Sequence, residues 1–169
     1  MSEEFSIFYS RFRRKQLMAI VKRQMIIEAD SDQVWKALSE FDRISHWSTV
    51  VDHSTYLTSS NSGIGCARRI QRGSNTVIET VTEWQSGEVL AYTLSGLPPV
   101  FRSATNKWIL EANGSQTAVS LTIELLPARP PAALPAVIVS RVIARINRKL
   151  LRDLKAYVER RPIKVEIFS

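Results

Sequence analysis

Six alternating apolar–polar stretches follow one another with very little between them, and this succession constrains the chain more than any other feature. They run over residues 54–59, 66–72, 76–84, 88–95, 102–111 and 117–126. In the last, Val119, Leu121, Ile123 and Leu125 share one face and Ser120, Thr122 and Glu124 the other. That period of two marks a half-buried strand. The breaks read N-S-G-I-G, R-G-S-N, W-Q-S-G-E, G-L-P-P and A-N-G-S. Such residues favour turns. Connections this short join antiparallel neighbours, because parallel strands need crossovers of about a dozen residues or more.

A sheet with one apolar face needs a cover, and the flanking sequence supplies one. Val21, Arg23, Met25, Ile27 and Ala29 alternate with Lys22, Gln24, Ile26 and Glu28, a further strand. Asp30 and Gln33 then have capping-box spacing, and Val34, Leu38 and Phe41, with Trp35 beside them, form a helical stripe. F-D-R-I-S-H-W-S-T-V-V continues as a second short helix. After P-A-R-P-P-A-A-L-P a helix of more than 20 residues runs to about Glu159. Val139, Val142, Ile143, Ile146, Leu150, Leu154 and Tyr157 keep a period of about 3.6, while Arg141, Arg145, Arg148, Lys149, Arg152 and Lys155 fall mostly elsewhere on the wheel. Val142, Ile143 and Ile146 are expected to face the sheet, and the arginines water or the helix flanks. The expected fold class is α+β: a curved seven-stranded antiparallel sheet wrapped on a long C-terminal helix, with two short helices after the first strand. A cavity is expected where bent strands and helix diverge.

Composition narrows the function classes. The 169 residues suit one domain, and 44% hydrophobic with 23% charged residues argues against disorder. One cysteine, Cys66, and two histidines, His46 and His53, allow no intrachain disulfide and make a metal cluster a poor reading. No phosphate-cradling loop or dinucleotide glycine motif is present, so no cofactor is expected. The net charge of +7 sits at the two ends. Residues 1–23 carry six Lys/Arg against two acids, residues 141–161 eight against two, and residues 24–140 eight against eleven. A nucleic-acid binder interleaves basic and aromatic residues on one surface, so no nucleic acid is expected. The basic ends read as a solvated helix face and tail, or as contact with an anionic membrane surface. No apolar run approaches the ~20 residues of a membrane span, and the first residues lack secretory-signal order, so the cytoplasm is the expected location. Residues 1–17 read as an extension outside the core, a short extra helix or an upstream start-site artefact. Residues 18–160 read as the ligand-binding domain and 161–169 as a tail. Nothing here fixes an oligomeric state.

The order strand, two short helices, six strands, long helix resembles the helix-grip fold of the START and polyketide-cyclase/dehydratase (SRPBCC) superfamily over about residues 21–159. V-W-K-A-L-S-E-F-D with Trp47 resembles its first-helix signature, and G-I-G-C-A-R-R its glycine turn into an arginine-bearing strand. I-E-T-V-T-E-W followed by E-V-L-A-Y-T-L resembles its glutamate and Leu-x-Tyr hairpin, and N-K-W-I-L-E-A-N-G-S-Q-T-A-V its Trp-x-Leu strand and following turn. The resemblance implies binding of a lipid, isoprenoid or polyketide-like molecule in a hydrophobic cavity under the long helix. Some members are cyclases or dehydratases needing neither metal nor nucleotide; others only bind or carry. The plant abscisic-acid receptors share the pattern distantly, with a pocket glutamate at the place of Glu79. The lysine that holds their ligand's carboxylate falls at Asp52 here, which speaks against an acidic ligand held in that way.

Several residues could carry the chemistry. Glu79 shares a face with Val77 and Val81, so an inward carboxylate would lie among apolar side chains. It is either a cavity anchor or catalytic acid/base, or one half of a buried pair with Arg68 or Arg69 that orders the sheet, or it sits on a strand whose other face is inward. Tyr92, beside Leu90 and Leu94, offers a hydroxyl to the cavity or the core. Asn106 and Trp108 share a face, and the amide could bond a ligand carbonyl. Trp47 is placed at the cavity mouth and Trp35 in the core. The expected ligand-binding set is Trp47, Arg69, Glu79, Val81, Tyr92, Asn106, Trp108, Val142, Ile143 and Ile146. His46 is expected at the surface, Cys66 as a small strand residue, and Gly63 and Gly65 as a turn.

Overall fold

Eight antiparallel strands form one sheet in the computed structural model, which describes residues 5–12, 16–99, 101–128 and 133–160, with side chains for 18–99, 101–128 and 141–160. The elements are β1 (Phe5–Phe12), β2 (Gln16–Ile27), α1 (Ser31–Ser39), a 3-10 helix (Phe41–His46), β3 (His53–Tyr56), β4 (Ala67–Arg72), β5 (Asn75–Gln85), β6 (Val89–Ser95), β7 (Phe101–Asn113), β8 (Gln116–Pro127) and α2 (Ala133–Glu159). Spatial order is β1-β2-β8-β7-β6-β5-β4-β3. The six successive strands form the expected meander. β2 closes against its last member, with Ala19 opposite Leu125 and Met25 opposite Val119. The seven expected strands are β2 to β8, and the fold is α+β with a helix-grip order.

Two elements differ from expectation. The segment before residue 18 contributes a strand rather than a helix: β1 pairs with β2 from Phe5 opposite Arg23 to Phe12 opposite Gln16. Aromatic and branched residues in F-S-I-F-Y-S-R-F suit a strand, and β2 offers an unpaired edge. β3 ends at Tyr56 instead of residue 59, because the chain beyond turns on itself: the Thr58 hydroxyl donates to Ser60 O at 2.8 Å and the Ser60 hydroxyl to Ser62 O at 2.8 Å. The tail assigned to 161–169 lies outside the described residues.

Asp30 caps α1, its Oδ1 accepting from Gln33 N at 2.8 Å. α1 and the 3-10 helix bury Val34, Trp35, Leu38, Phe41 and Ile44 against one end of the sheet. The second half of α2 is fastened across that same end. Asn147 Nδ2 donates to Val21 O at 3.4 Å and Lys155 Nζ to Ile26 O at 2.8 Å. Glu159 Oε1 accepts from Glu28 N at 2.8 Å, and Asp153 Oδ2 accepts from the amide and hydroxyl of Thr49 at 2.7 and 2.6 Å. Leu150, Leu151, Leu154 and Val158 are buried there. The buried arc of α2 is wider than the expected stripe, taking in Asn147, Leu151 and Val158, because the helix lies against both β2 and α1. Among the described residues no helix is long and apolar enough to cross a membrane.

Candidate functional site

The other end of the sheet is not filled. Between the first described turns of α2 and strands β4 to β8 lies a cavity of about 450 Å³, within the usual range for small-molecule sites. Its walls are largely apolar. β5 and β6 give Val77 and Leu94, β8 gives Ile123 and Leu125, α2 gives Val142, Ile143, Ile146 and Leu150, and the chain after the 3-10 helix gives Val50 and Val51. Val142 is half exposed at the mouth, with Arg72 and Asn75 also on the rim. Arg141 and Arg145 are exposed, as the helical period predicts.

Three polar side chains face this apolar space, each from a strand position with inward parity: Glu79, Tyr92 and Asn106. All are at least nine-tenths buried. Arg68, opposite Glu79 in the β4–β5 register, turns inward behind it. Its Nε and Nη2 meet Glu79 Oε2 at 2.6 and 2.5 Å. Nη1 donates to Phe41 O, and the guanidinium lies 3.7 Å from the Phe41 ring centre. Every arm of the cation is engaged, so the pair is a charge-compensated unit. Both Arg68 contacts fall on one carboxylate oxygen, which leaves Oε1 of Glu79 without a hydrogen bond among the described residues.

Tyr92 stands opposite Asn106 in the β6–β7 register. Its hydroxyl oxygen accepts from Trp108 Nε1 at 3.1 Å and from Asn106 Nδ2 at 3.3 Å. Burial, and secondarily the nearby Glu79 charge, push its phenol pKa up to about 12, so the hydroxyl keeps its proton at neutral pH. Asn106 Oδ1 is buried with no partner among the described residues.

The expected set thus divides. Glu79, Tyr92, Asn106, Val142, Ile143 and Ile146 line the cavity. Arg69 does not; it is exposed on the outer face, and the inward arginine is its neighbour Arg68. Val81 and Trp108 point inward but lie in the packed core, each 1% exposed. Trp47 is also core rather than mouth: it is buried edge-on against Trp108 with ring centres 6.4 Å apart. Trp35 packs edge-on to Trp84 at 5.2 Å, in the core as expected. His46 is exposed. Cys66 is buried, and burial pushes its thiol pKa up, which makes it a poor nucleophile. Asp52, far from holding a ligand, accepts from Gly73 N at 2.6 Å and braces the β4–β5 turn. Sequence reasoning missed Val50, Val51, Leu97 and Phe101, which line the cavity from loops and a strand end, where no periodicity marks an inward face. No group of three metal-ligating side chains occurs among the described residues.

The family model for polyketide cyclase/dehydrase and lipid transport matches residues 18–159. No curated protein matches the sequence. Among solved structures, the Zhui aromatase/cyclase of Streptomyces superposes with a TM-score of 0.73 at 17% identity, covering 85% of this chain and 95% of that one. A START superfamily protein from Mycobacterium smegmatis gives 0.69 at 13%, covering 83% and 97%. The di-domain aromatase/cyclase StfQ of the steffimycin pathway gives 0.72 at 13%, covering 84% of this chain and 51% of that one.

Proposed function

The chain belongs to the polyketide cyclase/dehydrase and lipid transport family, and from that premise we propose that it binds a small, largely apolar molecule in the cavity between the sheet and α2. The cavity itself carries the reading. It is a space of about 450 Å³ with apolar walls and three converging buried polar groups, beside the packed core on the same sheet face. Val142, Ile143 and Ile146 would contact the body of the ligand, and Glu79, Tyr92 and Asn106 its polar end.

Catalysis would have to run through a single atom of Glu79: an acid/base in a cyclase or dehydratase must exchange a proton with its substrate, and with Oε2 occupied by two arms of Arg68 only Oε1 is left for it. A cyclase reading requires Glu79→Gln to abolish turnover of an identified substrate. For the binding reading, protein purified without detergent is extracted and the extract analysed by mass spectrometry, with displacement of an apolar fluorescent dye as a second readout. A stoichiometric apolar compound and saturable dye displacement are expected. An empty protein that takes up no dye would refute it.

A second reading concerns where the ligand is exchanged. Arg141 and Arg145 are exposed on the same helix as Val142, itself 49% exposed, which lines the cavity. Cations so placed would hold the mouth near anionic headgroups, each contributing about 1 kcal/mol. Co-sedimentation with vesicles should then rise with anionic lipid and fall with salt. Binding indifferent to both would exclude peripheral membrane contact.

A further inference from the structure

We infer that the ligand enters polar end first and that its inner end is a hydroxyl, an uncharged group able both to donate and to accept a hydrogen bond. This rests on the reading of the cavity as a binding site and specifies what that site selects.

The argument is a count of unspent hydrogen-bonding capacity on the cavity floor. The hydroxyl oxygen of Tyr92 already accepts twice, from Trp108 Nε1 and Asn106 Nδ2, while its own proton is donated to nothing among the described residues. Asn106 spends one of its two amide hydrogens on Tyr92 and keeps the other, together with Oδ1, which is buried and unpartnered. Glu79 spends Oε2 on Arg68 and keeps Oε1. The floor therefore offers two donors, the Tyr92 hydroxyl and the second Asn106 N–H, and two acceptors, Asn106 Oδ1 and Glu79 Oε1. Tyr92 and Asn106 face each other across adjacent strands, and Glu79 lies one strand beyond Tyr92. A buried polar atom without a partner is costly, so the group that best completes this site accepts from Tyr92 and donates to Asn106 Oδ1 or to Glu79.

An alcohol or phenol does both. A ketone can accept from Tyr92 or from Asn106 Nδ2 but has no hydrogen to give Asn106 Oδ1 or Glu79 Oε1. A carboxylate brings a negative charge beside Glu79. Arg68 behind the floor is already compensated by Glu79, and Arg72, the one described cation of the lining, is exposed at the rim, away from the floor. Asp52, pinned to the β4–β5 turn, offers no cation either.

The experiment is calorimetric titration of the purified chain with decanol, decanone and decanoate, which share one apolar chain and differ in the end group. Decanol should bind at least about tenfold more tightly than either of the others, the scale of one unsatisfied buried group. In Asn106→Leu, which keeps the volume and removes the acceptor, the three affinities should converge to within about threefold through loss of decanol binding. Equal affinities in the wild-type protein, or a preference for decanone or decanoate, would overturn the hydroxyl inference and leave the cavity reading standing. Failure of all three to bind would overturn both.

Discussion

Arg68 and Glu79 form a buried ion pair whose worth depends on completeness. Two charges removed from water recover the desolvation cost only through close contact and satisfied hydrogen bonds, and here the guanidinium meets one carboxylate oxygen, one carbonyl and an aromatic face. Arg68→Met should cost about 3 to 5 kcal/mol because it strands a buried carboxylate. Arg68→Met combined with Glu79→Leu should recover most of that loss. Urea denaturation of the two variants decides the point; a double variant no more stable than the single one would mean that the pair itself, rather than its incompleteness, carries the stability. Tyr92 supplies a pH signature. Its pKa is raised to about 12 in the fold, first by burial, and lies near 10 in an unfolded chain. The native state therefore holds the proton more tightly. This stabilisation is fully present below about pH 10 and is lost as pH rises from there toward 12, a fall on the order of 2 to 3 kcal/mol. Tyr92→Phe should abolish that part of the alkaline decline. Its own cost at neutral pH is about 1 to 3 kcal/mol, because the donors of Trp108 and Asn106 lose their acceptor. An unchanged alkaline slope in Tyr92→Phe would place the titrating group elsewhere.

Along α2 one helix does two different jobs. From Asn147 onward it is tied to β2 and to Thr49 and buries Leu151 and Leu154 completely. Just before Asn147 it borders the cavity: Ile143 and Ile146 are only partly buried, although Ala144 between them is buried. Truncation should show this gradient. Leu154→Ala should cost about 2 to 5 kcal/mol, as expected for a close-packed leucine. Ile146→Ala should cost much less, about 1 kcal/mol, because its side chain already borders open space, and should weaken ligand binding instead. Arg145→Ala should fall within about 0.5 kcal/mol of wild type. Thermal melts with a dye-binding assay separate these outcomes, and equal destabilisation by the Leu154 and Ile146 truncations would mean the helix packs evenly along its length. The direction of the helix was legible in its 3.6-residue stripe. The division between packed and open halves was not, since Ile146 and Leu154 look alike in the sequence and differ only in what the sheet, α1 and the 3-10 helix place opposite them.

The same distinction governs the whole molecule. Alternation and glycine-rich turns made the seven strands β2 to β8 and their antiparallel order readable, because both are local properties of the chain. Alternation also put Glu79, Tyr92 and Asn106 on faces shared with apolar neighbours, but for Glu79 it left open which face turns inward. It could not separate Glu79 from Val81 or Asn106 from Trp108, which share a face and lie two residues apart. One of each pair meets the cavity and the other the core, because α1 and the 3-10 helix plug only one end of the sheet. The phase of β4 was the remaining ambiguity: R-R at 68 and 69 can be read either way round, and only the pairing of Arg68 with Glu79 fixes which arginine turns inward. β1 was misread because a short aromatic segment ahead of a good strand has no turn glycine to announce a hairpin. Its position makes a last prediction. β1 adds to the outer edge of β2, whose other edge is paired to β8 and whose ends are fastened to α2. The residues with described side chains that line the cavity come from β4 to β8, α2, the 3-10 helix and the loops. A chain beginning at Met18 should therefore keep the circular dichroism spectrum of the full protein, apart from the missing strand, and bind apolar dye with an affinity within about twofold, since every described lining residue is kept. It should also associate more readily, because the deletion bares the backbone groups of β2 to any other strand. Loss of dye binding in a truncated protein that remains folded and monomeric would show that β1 shapes the cavity through β2 and belongs to the functional domain.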